Sequence, residues 1–585
     1  MLPERMQISL FEGLEPEALN EIYRRLQPKR FAPGEVICRE GDSGSSLFIV
    51  ESGLAHVLVS RPEGPRTIAR LRRGDFGGEM SLITGEPRSA TVKAIVTTTL
   101  LELGQEAFGA ILASYPILFA NLARILSRRL ARADDRLRWS QQRGETLALV
   151  TRGDDIWQVT QLIESTKAAS PREITCVDLT ASLPPNTECR QVRTVEGALS
   201  IVDELVDSHN IVLIVVDFDQ PELASLLQQV DRVFLLGTEA DCLRATRECG
   251  PNGEVVLIKR GRSDSPRSID GLNVIRTINP AVPLADIAWL GRHLSRTKIG
   301  LALGAGGAKG FAHVAALEAL EVAGYPIDYV AGSSIGAFVG SWLALGRDAA
   351  AIQATMRSTF SQDNVALLFK LSFGGMAIGS DELKRLCYES TEGLSFSDVV
   401  MPLVIMAVDL ERKRAIALTE GPLWEALLAA GTVPGLYPPY QLDSQRLVDA
   451  IALVPVPVDA VRAAGADIVV SVNLMSWDTL PVWPALAPPQ APRMKGSRLL
   501  DTLLEVMDLM QLDCSTRHAA RADVTITPRF GPATWRDFQL ADLFLAAGRT
   551  AAQEQLPALR ALARPQSCGA VLGSGGMHGS ATVHV

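Results

Sequence analysis

Gly332-Ser333-Ser334-Ile335-Gly336 constrains the fold of this chain more than any other five residues. The apolar run Tyr329-Val330-Ala331 leads into it, and the helix-like stretch from Ala337 to Leu345 follows. A strand that must pass into a helix across so few residues needs a sharp turn. Glycines on both sides of Ser334 supply the tight backbone, and the turn lifts the serine hydroxyl clear of its neighbours. In a chain with 47 glycines the pentapeptide by itself is weak evidence, and its context has to carry the argument.

Two more segments supply that context. Lys298 to Leu303 reads as a buried strand that runs into Gly304-Ala305-Gly306-Gly307-Ala308-Lys309-Gly310 and then a helix from Phe311 to Val322. A glycine-rich strand-to-helix loop exposes backbone N–H groups, which suit a phosphate or an oxyanion equally. The loop lacks Walker spacing, and a serine of nucleophile-elbow type follows soon after it. Together they favour an acyl-transfer site. The third segment is Leu447-Val448-Asp449-Ala450, with Val433-Pro434-Gly435-Leu436-Tyr437-Pro438-Pro439 before it and Val454-Pro455-Val456-Pro457-Val458 after it.

In that order, the three segments resemble the patatin-like phospholipase family, over about residues 298–472 and more loosely to about 565. Domain order resembles bacterial relatives of the neuropathy target esterase group. The resemblance implies an α/β hydrolase domain with a Ser334–Asp449 dyad, Ser334 as nucleophile and Asp449 as general base. It also implies an elbow framed by Gly332 and Gly336, an oxyanion hole from the amides of Gly306, Gly307 and Ala308, and no cofactor or metal for catalysis. A phospholipid or lysophospholipid is the implied substrate. A carboxylate in a partly desolvated pocket gains basicity, so a histidine is dispensable. His313, one turn into a helix, reads as a packed core residue, Ser333 as structural, and Lys309 as either solvated or orienting the loop. Two departures stand out. Ala450 replaces a usual glycine, which strains Asp449 if that position has positive φ, and Ala305 stands where another glycine is common.

The first segment shows short β-type runs with Gly-rich turns: Val36 to Glu40, Leu47 to Val50, Leu54 to Val59, Thr67 to Arg70 and Leu100 to Leu103. That spacing predicts a small β-roll or barrel. Within it, Phe76-Gly77-Gly78-Glu79-Met80-Ser81-Leu82 and Glu86-Pro87-Arg88-Ser89-Ala90-Thr91-Val92 resemble the phosphate-binding cassette of cyclic-nucleotide-binding domains. The resemblance assigns Arg88 to a cyclic phosphate and Glu79 to a ribose hydroxyl, with Gly78, Ser89 and Ala90 in close contact. The ligand this resemblance implies is cAMP or cGMP, as a regulator. A helix from about Tyr115 to Trp139, with Leu122, Leu126, Leu130 and Leu137 on one stripe, is expected to pack on the roll or on a twin copy in a homodimer.

From 139 to 296 apolar runs alternate with helical stretches, which predicts a doubly wound, Rossmann-like spacer domain. Its first turn, Thr151-Arg152-Gly153-Asp154-Asp155, matches no nucleotide fingerprint. The expected division is therefore 1–138, 139–296, 297–565 and a Gly/Ser-rich disordered tail at 566–585. With 47% hydrophobic and 21% charged residues the chain is globular, and its net charge of −9 argues against nucleic-acid binding. No apolar run reaches bilayer length. Eight cysteines without close pairs, together with an N-terminus unlike a signal peptide, suggest a reducing cytoplasm. Peripheral contact with the inner face of the membrane stays open on this reading. The favoured function is a lipid-acyl hydrolase under cyclic-nucleotide control. The alternative is a ligand-sensing interaction protein whose hydrolase domain is inactive. A transcription factor would need a recognition helix, and none is legible.

Overall fold

The structure is a computed structural model. It describes residues 8–122, 145–205, 211–249, 254–258, 272–278, 283–368, 380–475 and 510–566, with short breaks at 12, 33, 54, 60–65, 72, 95–96, 116, 120 and 185–186.

The N-terminal β-roll pairs two four-stranded antiparallel sheets. One runs in the order Gln27–Phe31, Thr98–Gly104, Ser46–Ser52, Phe76–Gly77, and the other Val36–Cys38, Thr91–Ala94, Ala55–Val59, Arg66–Leu71. Alternation along Ser46–Ser52 explains the packing. Leu47 and Ile49 join Leu101, Leu103 and the helical residues Ile22, Phe108 and Ile111, while Phe48 and Val50 turn to Ala55, Val92 and Leu100. Leu122 is buried in the first cluster, but Leu126, Leu130 and Leu137 of the predicted stripe lie outside the described residues. So does the surface expected to form a homodimer.

Residues 145–278 contribute a seven-stranded sheet in the order Cys189–Gln191, Ile174–Asp178, Ile211–Asp217, Glu145–Thr151, Arg232–Gly237, Glu254–Ile258, Asn273–Ile278. Five of these strands coincide with the apolar runs 148–150, 174–177, 211–216, 233–236 and 255–258 of the sequence, and the two others, Cys189–Gln191 and Asn273–Ile278, were not legible. Cys176 and Cys189 are joined as a disulfide, with Cα atoms 4.6 Å apart. The reading of the cysteines as unpaired is thereby corrected: neighbouring strands bring side by side two thiols that are 13 residues apart. The argument for a reducing compartment loses that support.

The C-terminal sheet has eight strands. Its path is Tyr440–Leu442, Gln445–Asp449, Leu403–Asp409, Tyr329–Ser333, Ile299–Leu303, Ile468–Val472, Val524–Ile526, with Arg414–Leu418 also paired to Leu403–Asp409. Pairing from Leu403 across to Val524 is parallel, and the Gln445–Asp449 strand joins antiparallel. The central strands are buried along their whole length and read as continuous apolar runs, as parallel strands covered on both faces do. Phe311–Val322 packs against Ala541–Leu562, where a side chain at Gly548 would meet the Ala312 carbonyl at 2.5 Å.

Arg292, on the Pro283–Ser295 helix, donates from Nε and Nη2 to Asp328, and Asp328 Oδ2 also accepts from the Ile299 amide at 3.0 Å. Arg292 Nη1 donates to the side chain of Gln566, whose own amide donates to the Gly324 carbonyl. The ordered body therefore extends through Gln566, and the rest of the predicted tail, 567–585, lies outside the described residues. Among the described residues no helix is long and apolar enough to cross a membrane. Asp328→Ala strands a buried guanidinium, at an expected cost of about 3–5 kcal/mol. Thermal unfolding checks it: an unchanged Tm would mean that the ion pair is dispensable.

Candidate active site

Ser334 ends the Tyr329–Ser333 strand and caps the helix Ile335–Ala344 with φ 54 and ψ −126, a conformation that costs a side-chain-bearing residue energy. The flanking glycines are fixed by contact. A Cβ on Gly332 would lie 2.3 Å from the Gly336 carbonyl, and one on Gly336 would lie 2.2 Å from the Leu303 carbonyl. Ser334 retains 8% exposure, whereas Ser333 is fully buried and donates to the Val454 carbonyl at 2.6 Å.

The sheet brings Asp449 to Ser334 across 115 positions. Ser333 pairs with Met406, and Ala407, the next residue on that strand, pairs with Asp449. The Asp449 carboxylate is 0% exposed, and its Oδ1 accepts from the Ile451 amide at 2.9 Å. Burial pushes its pKa up to about 7, against the opposing pull of the adjacent Ser334 hydroxyl and the Ile451 amide. The Ser334 hydroxyl is near enough to Asp449 to act on its ionisation, and among the described residues Oδ2 has no hydrogen-bond partner.

Ala450 is not strained. Its φ is not positive; it opens a short 3-10 helix and packs in a cluster with Ala302, Ala331 and Val404. The expected penalty for lacking a glycine is corrected, because Asp449 is held by its own cap to Ile451.

The glycine-rich loop is pinned from both sides. The Ala305 amide donates to the Pro455 carbonyl and the Ala308 amide to the Trp535 carbonyl, each at 2.8 Å. Ala308 is therefore removed from the expected set of oxyanion donors: its N–H is already spent. The amides of Gly306 and Gly307 find no acceptor among the described residues, and Gly307 has φ +55. His313 is fully buried with Nε2 bonded to the Gly304 carbonyl at 2.7 Å, and burial pushes its pKa down to about 4. It is a neutral support beneath the loop. The Lys309 ammonium lies over the Phe530 ring.

An apolar pocket opens on Ser334, Gly306 and Gly307. Its walls include Phe338, Phe360, Leu368, Leu383, Val433, Leu436, Ile451, Met475, Trp535 and Phe538, with the Tyr437 hydroxyl spent on the Leu368 carbonyl. Among these walls, sequence reading placed only those of the Val433–Tyr437 segment near the site. The aromatic walls come from elements whose apolar residues look like any core. The helical stretch from Leu499 to Leu512 reads from sequence as a cover for the entrance or as plain core, and its Leu500, Leu503, Leu504 and Met507 lie outside the described residues. Met510 is 68% exposed, and its neighbour Gln511 lines the pocket.

In the β-roll, Gly78 (φ +87) precedes the short helix Glu79–Thr84. Arg88 and Glu79 are buried, and Ser89 is exposed. Arg88 donates from Nη1 to the Gly78 carbonyl at 3.0 Å and from Nη2 to the Ser46 carbonyl at 2.7 Å. A Cβ at Gly78 would fall 2.3 Å from Nη1, so the cassette closes only with glycine there. A guanidinium held among backbone dipoles in this cradle fits an anionic ligand.

Residues 301–462 match the patatin-like phospholipase family and residues 28–115 the cyclic nucleotide-binding domain. The chain carries both domains. The likeness read from the three motifs, and the multidomain fold with an N-terminal roll, are borne out. Human patatin-like phospholipase domain-containing protein 6 is 25% identical over 76% of this chain, which spans 37% of that protein's length. An uncharacterised NTE family protein of Mycobacterium bovis is 24% identical over 95% of this chain and 96% of its own. Lysophospholipase NTE1 of Mycosarcoma maydis is 24% identical over 80% of this chain and 30% of its own. Among solved structures, the Thermus thermophilus catabolite activator protein is 30% identical over 27% of this chain and 68% of its own, with a TM-score of 0.22.

In the patatin-like domain, the raised pKa of Asp449 fixes a sign. Folding takes up a proton on this group between pH 4 and about 7, so its ionisation destabilises the fold as pH rises through that window. Asp449→Asn keeps the acceptor for Ile451 and removes the charge. Its Tm is expected to match the native protein near pH 4 and to exceed it at pH 8 by roughly a few degrees. A lower Tm at pH 8 would contradict the burial argument.

Proposed function

We propose that this chain is a serine lipid-acyl hydrolase of phospholipase or lysophospholipase type, working through a Ser334–Asp449 dyad. The observation that carries it is the fully buried Asp449, with a pKa of about 7, set against a strained serine at an apolar pocket.

Ser334 Oγ attacks the ester carbonyl carbon while its proton passes to the open Oδ2 of Asp449. Oδ1, held by Ile451, keeps the carboxylate in place. The amides of Gly306 and Gly307 receive the oxyanion; each such donor is typically worth about 3 kcal/mol of barrier. Collapse of the tetrahedral intermediate breaks the ester C–O bond, and Asp449 returns its proton to the departing alcohol. Water then gives a proton to Asp449 and attacks the acyl-Ser334 ester; the acyl–Oγ bond breaks, Asp449 returns the proton to Ser334 Oγ, and the fatty acid leaves. The apolar walls supply the affinity for an acyl chain, burial of which is worth about 0.8 kcal/mol per methylene. The neutral His313, beneath Gly304, takes no proton in this scheme.

The regulatory part of the proposal places cAMP or cGMP in the β-roll. Arg88 would meet the phosphate, Glu79 the ribose, and Gly78 and Ser89 the surrounding close contacts. The intervening α/β region, 139–296, is a spacer on this reading. The protein acts in the cytoplasm or at the inner face of the membrane.

Ser334→Ala and Asp449→Asn are each expected to lower p-nitrophenyl ester hydrolysis by at least about a thousandfold. Near-native turnover in either variant would count against the dyad, and failure of a fluorophosphonate to label Ser334 would favour the reading as an inactive, ligand-sensing protein. For the native protein, kcat/KM should rise with pH as Asp449 loses its proton, with an inflection near 7. A profile flat from pH 5 to 9 would exclude Asp449 as the base.

Calorimetric titration tests the regulatory site. Arg88→Ala should weaken cyclic-nucleotide binding by about a hundredfold or more. No binding of cAMP or cGMP by the native protein would remove the regulatory claim and leave the dyad standing.

A further inference from the structure

Gln511 stands out in the pocket. It is 4% exposed, sits in the 510–519 helical segment and lines the same cavity as Ser334. Its Oε1 is buried and has no hydrogen-bond partner among the described residues. The neighbouring polar groups are committed elsewhere: the Tyr437 hydroxyl donates to the Leu368 carbonyl, and Ser334 faces Asp449. A primary amide is costly to hold dry in an apolar wall, and natural cores avoid it unless the missing partner arrives from outside. Oε1 is an acceptor, so that partner must be a donor.

We propose that Gln511 is a specificity-determining residue that accepts a hydrogen bond from a free hydroxyl on the alcohol portion of the ester substrate. The inference rests on the hydrolase reading above and narrows it. A monoacylated glycerol or glycerophospholipid carries such a hydroxyl beside its ester. A 1,2-diacylated glycerophospholipid has a second acyl ester at that position and offers no donor there. With the hydroxyl present, Oε1 is satisfied; with a substrate that lacks it, Oε1 stays desolvated and unpaired throughout the reaction. Sites built to bond a hydroxyl discriminate strongly against analogues without one.

The test compares two esters on the full-length protein, a 1-acyl lysophosphatidylcholine and its 2-deoxy analogue, which lacks the free hydroxyl. For the native enzyme the kcat/KM ratio is expected to favour the hydroxylated ester by about tenfold or more. In Gln511→Met, close in volume and without an acceptor, that ratio should fall towards one. A water held by Gln511 for deacylation would instead lower kcat on both esters alike and leave the ratio intact, which would overturn the proposal. Tm supplies a readout independent of turnover. Replacing an unsatisfied amide by an apolar group should leave Tm unchanged or raise it, and a fall of many degrees in Gln511→Met would mark the residue as structural and overturn the proposal too. Native protein that cleaves neither ester would refute the hydrolase reading itself, and this inference with it.

Discussion

The catalytic half of this molecule depends on one steric fact: the start of the Ile335–Ala344 helix lies directly on the end of the Ile299–Leu303 strand. At Gly336 the gap to the Leu303 carbonyl leaves no room for even a methyl group, and the same is true between Gly332 and Gly336. The turn can be that tight only if Ser334 takes a positive φ. The strain is sustained because everything around it is buried, the whole of the following helix included. That packing offsets the one to three kilocalories that such a backbone conformation costs, roughly. It leaves the serine hydroxyl at the rim of a cavity, at a helix N-terminus whose dipole favours developing negative charge.

On the proposed mechanism, burial does the work that a histidine does in other serine hydrolases. Taking Asp449 fully out of water lifts its pKa to about 7, where it can both accept and return a proton near neutrality. The same desolvation acts oppositely on His313, which is held neutral and spends Nε2 on the loop backbone. Two titratable groups, Asp449 at a strand end and His313 on a helix, are thus driven apart in ionisation by a single physical cause. The Ile451 amide contributes a further asymmetry, since it locks one oxygen of Asp449 and leaves the other open.

What could be read from sequence was local. The elbow, the glycine-rich loop and the strand ending at Asp449 each announce themselves within a dozen residues, because a tight turn or a buried strand has a short-range chemical signature. The readings that failed depend on contacts made at long range. Ala308 looked available as a donor, and only the arrival of Trp535, more than two hundred positions later, uses its amide. Ala450 looked strained because a glycine was expected, yet its backbone angle is set by the cap that Asp449 makes. The Cys176–Cys189 pairing depends on strand order, which spacing does not encode. The pocket walls were invisible for a related reason: Phe338, Phe360 and Phe538 have the chemistry of a core and differ from one only in what they fail to touch.

Trp535 links two of these levels. Its carbonyl anchors the Ala308 amide, its backbone sits where a Cβ on Gly307 would have to go, and its residue forms part of the acyl pocket wall. The amide lost from the oxyanion set is therefore what fixes the two that remain. With Ala305 pinned to Pro455 on the other side, Gly306 and Gly307 are suspended between two clamps, and their N–H groups need not reorganise as charge develops. On the proposed reading, because one clamp is also a wall of the cavity, the surface that would seat an acyl chain and the amides that would meet its carbonyl oxygen share a single rigid reference. Position along the chain and polarity at the ester are then set together, and that shared reference, more than either motif alone, makes a loop and a serine into a site.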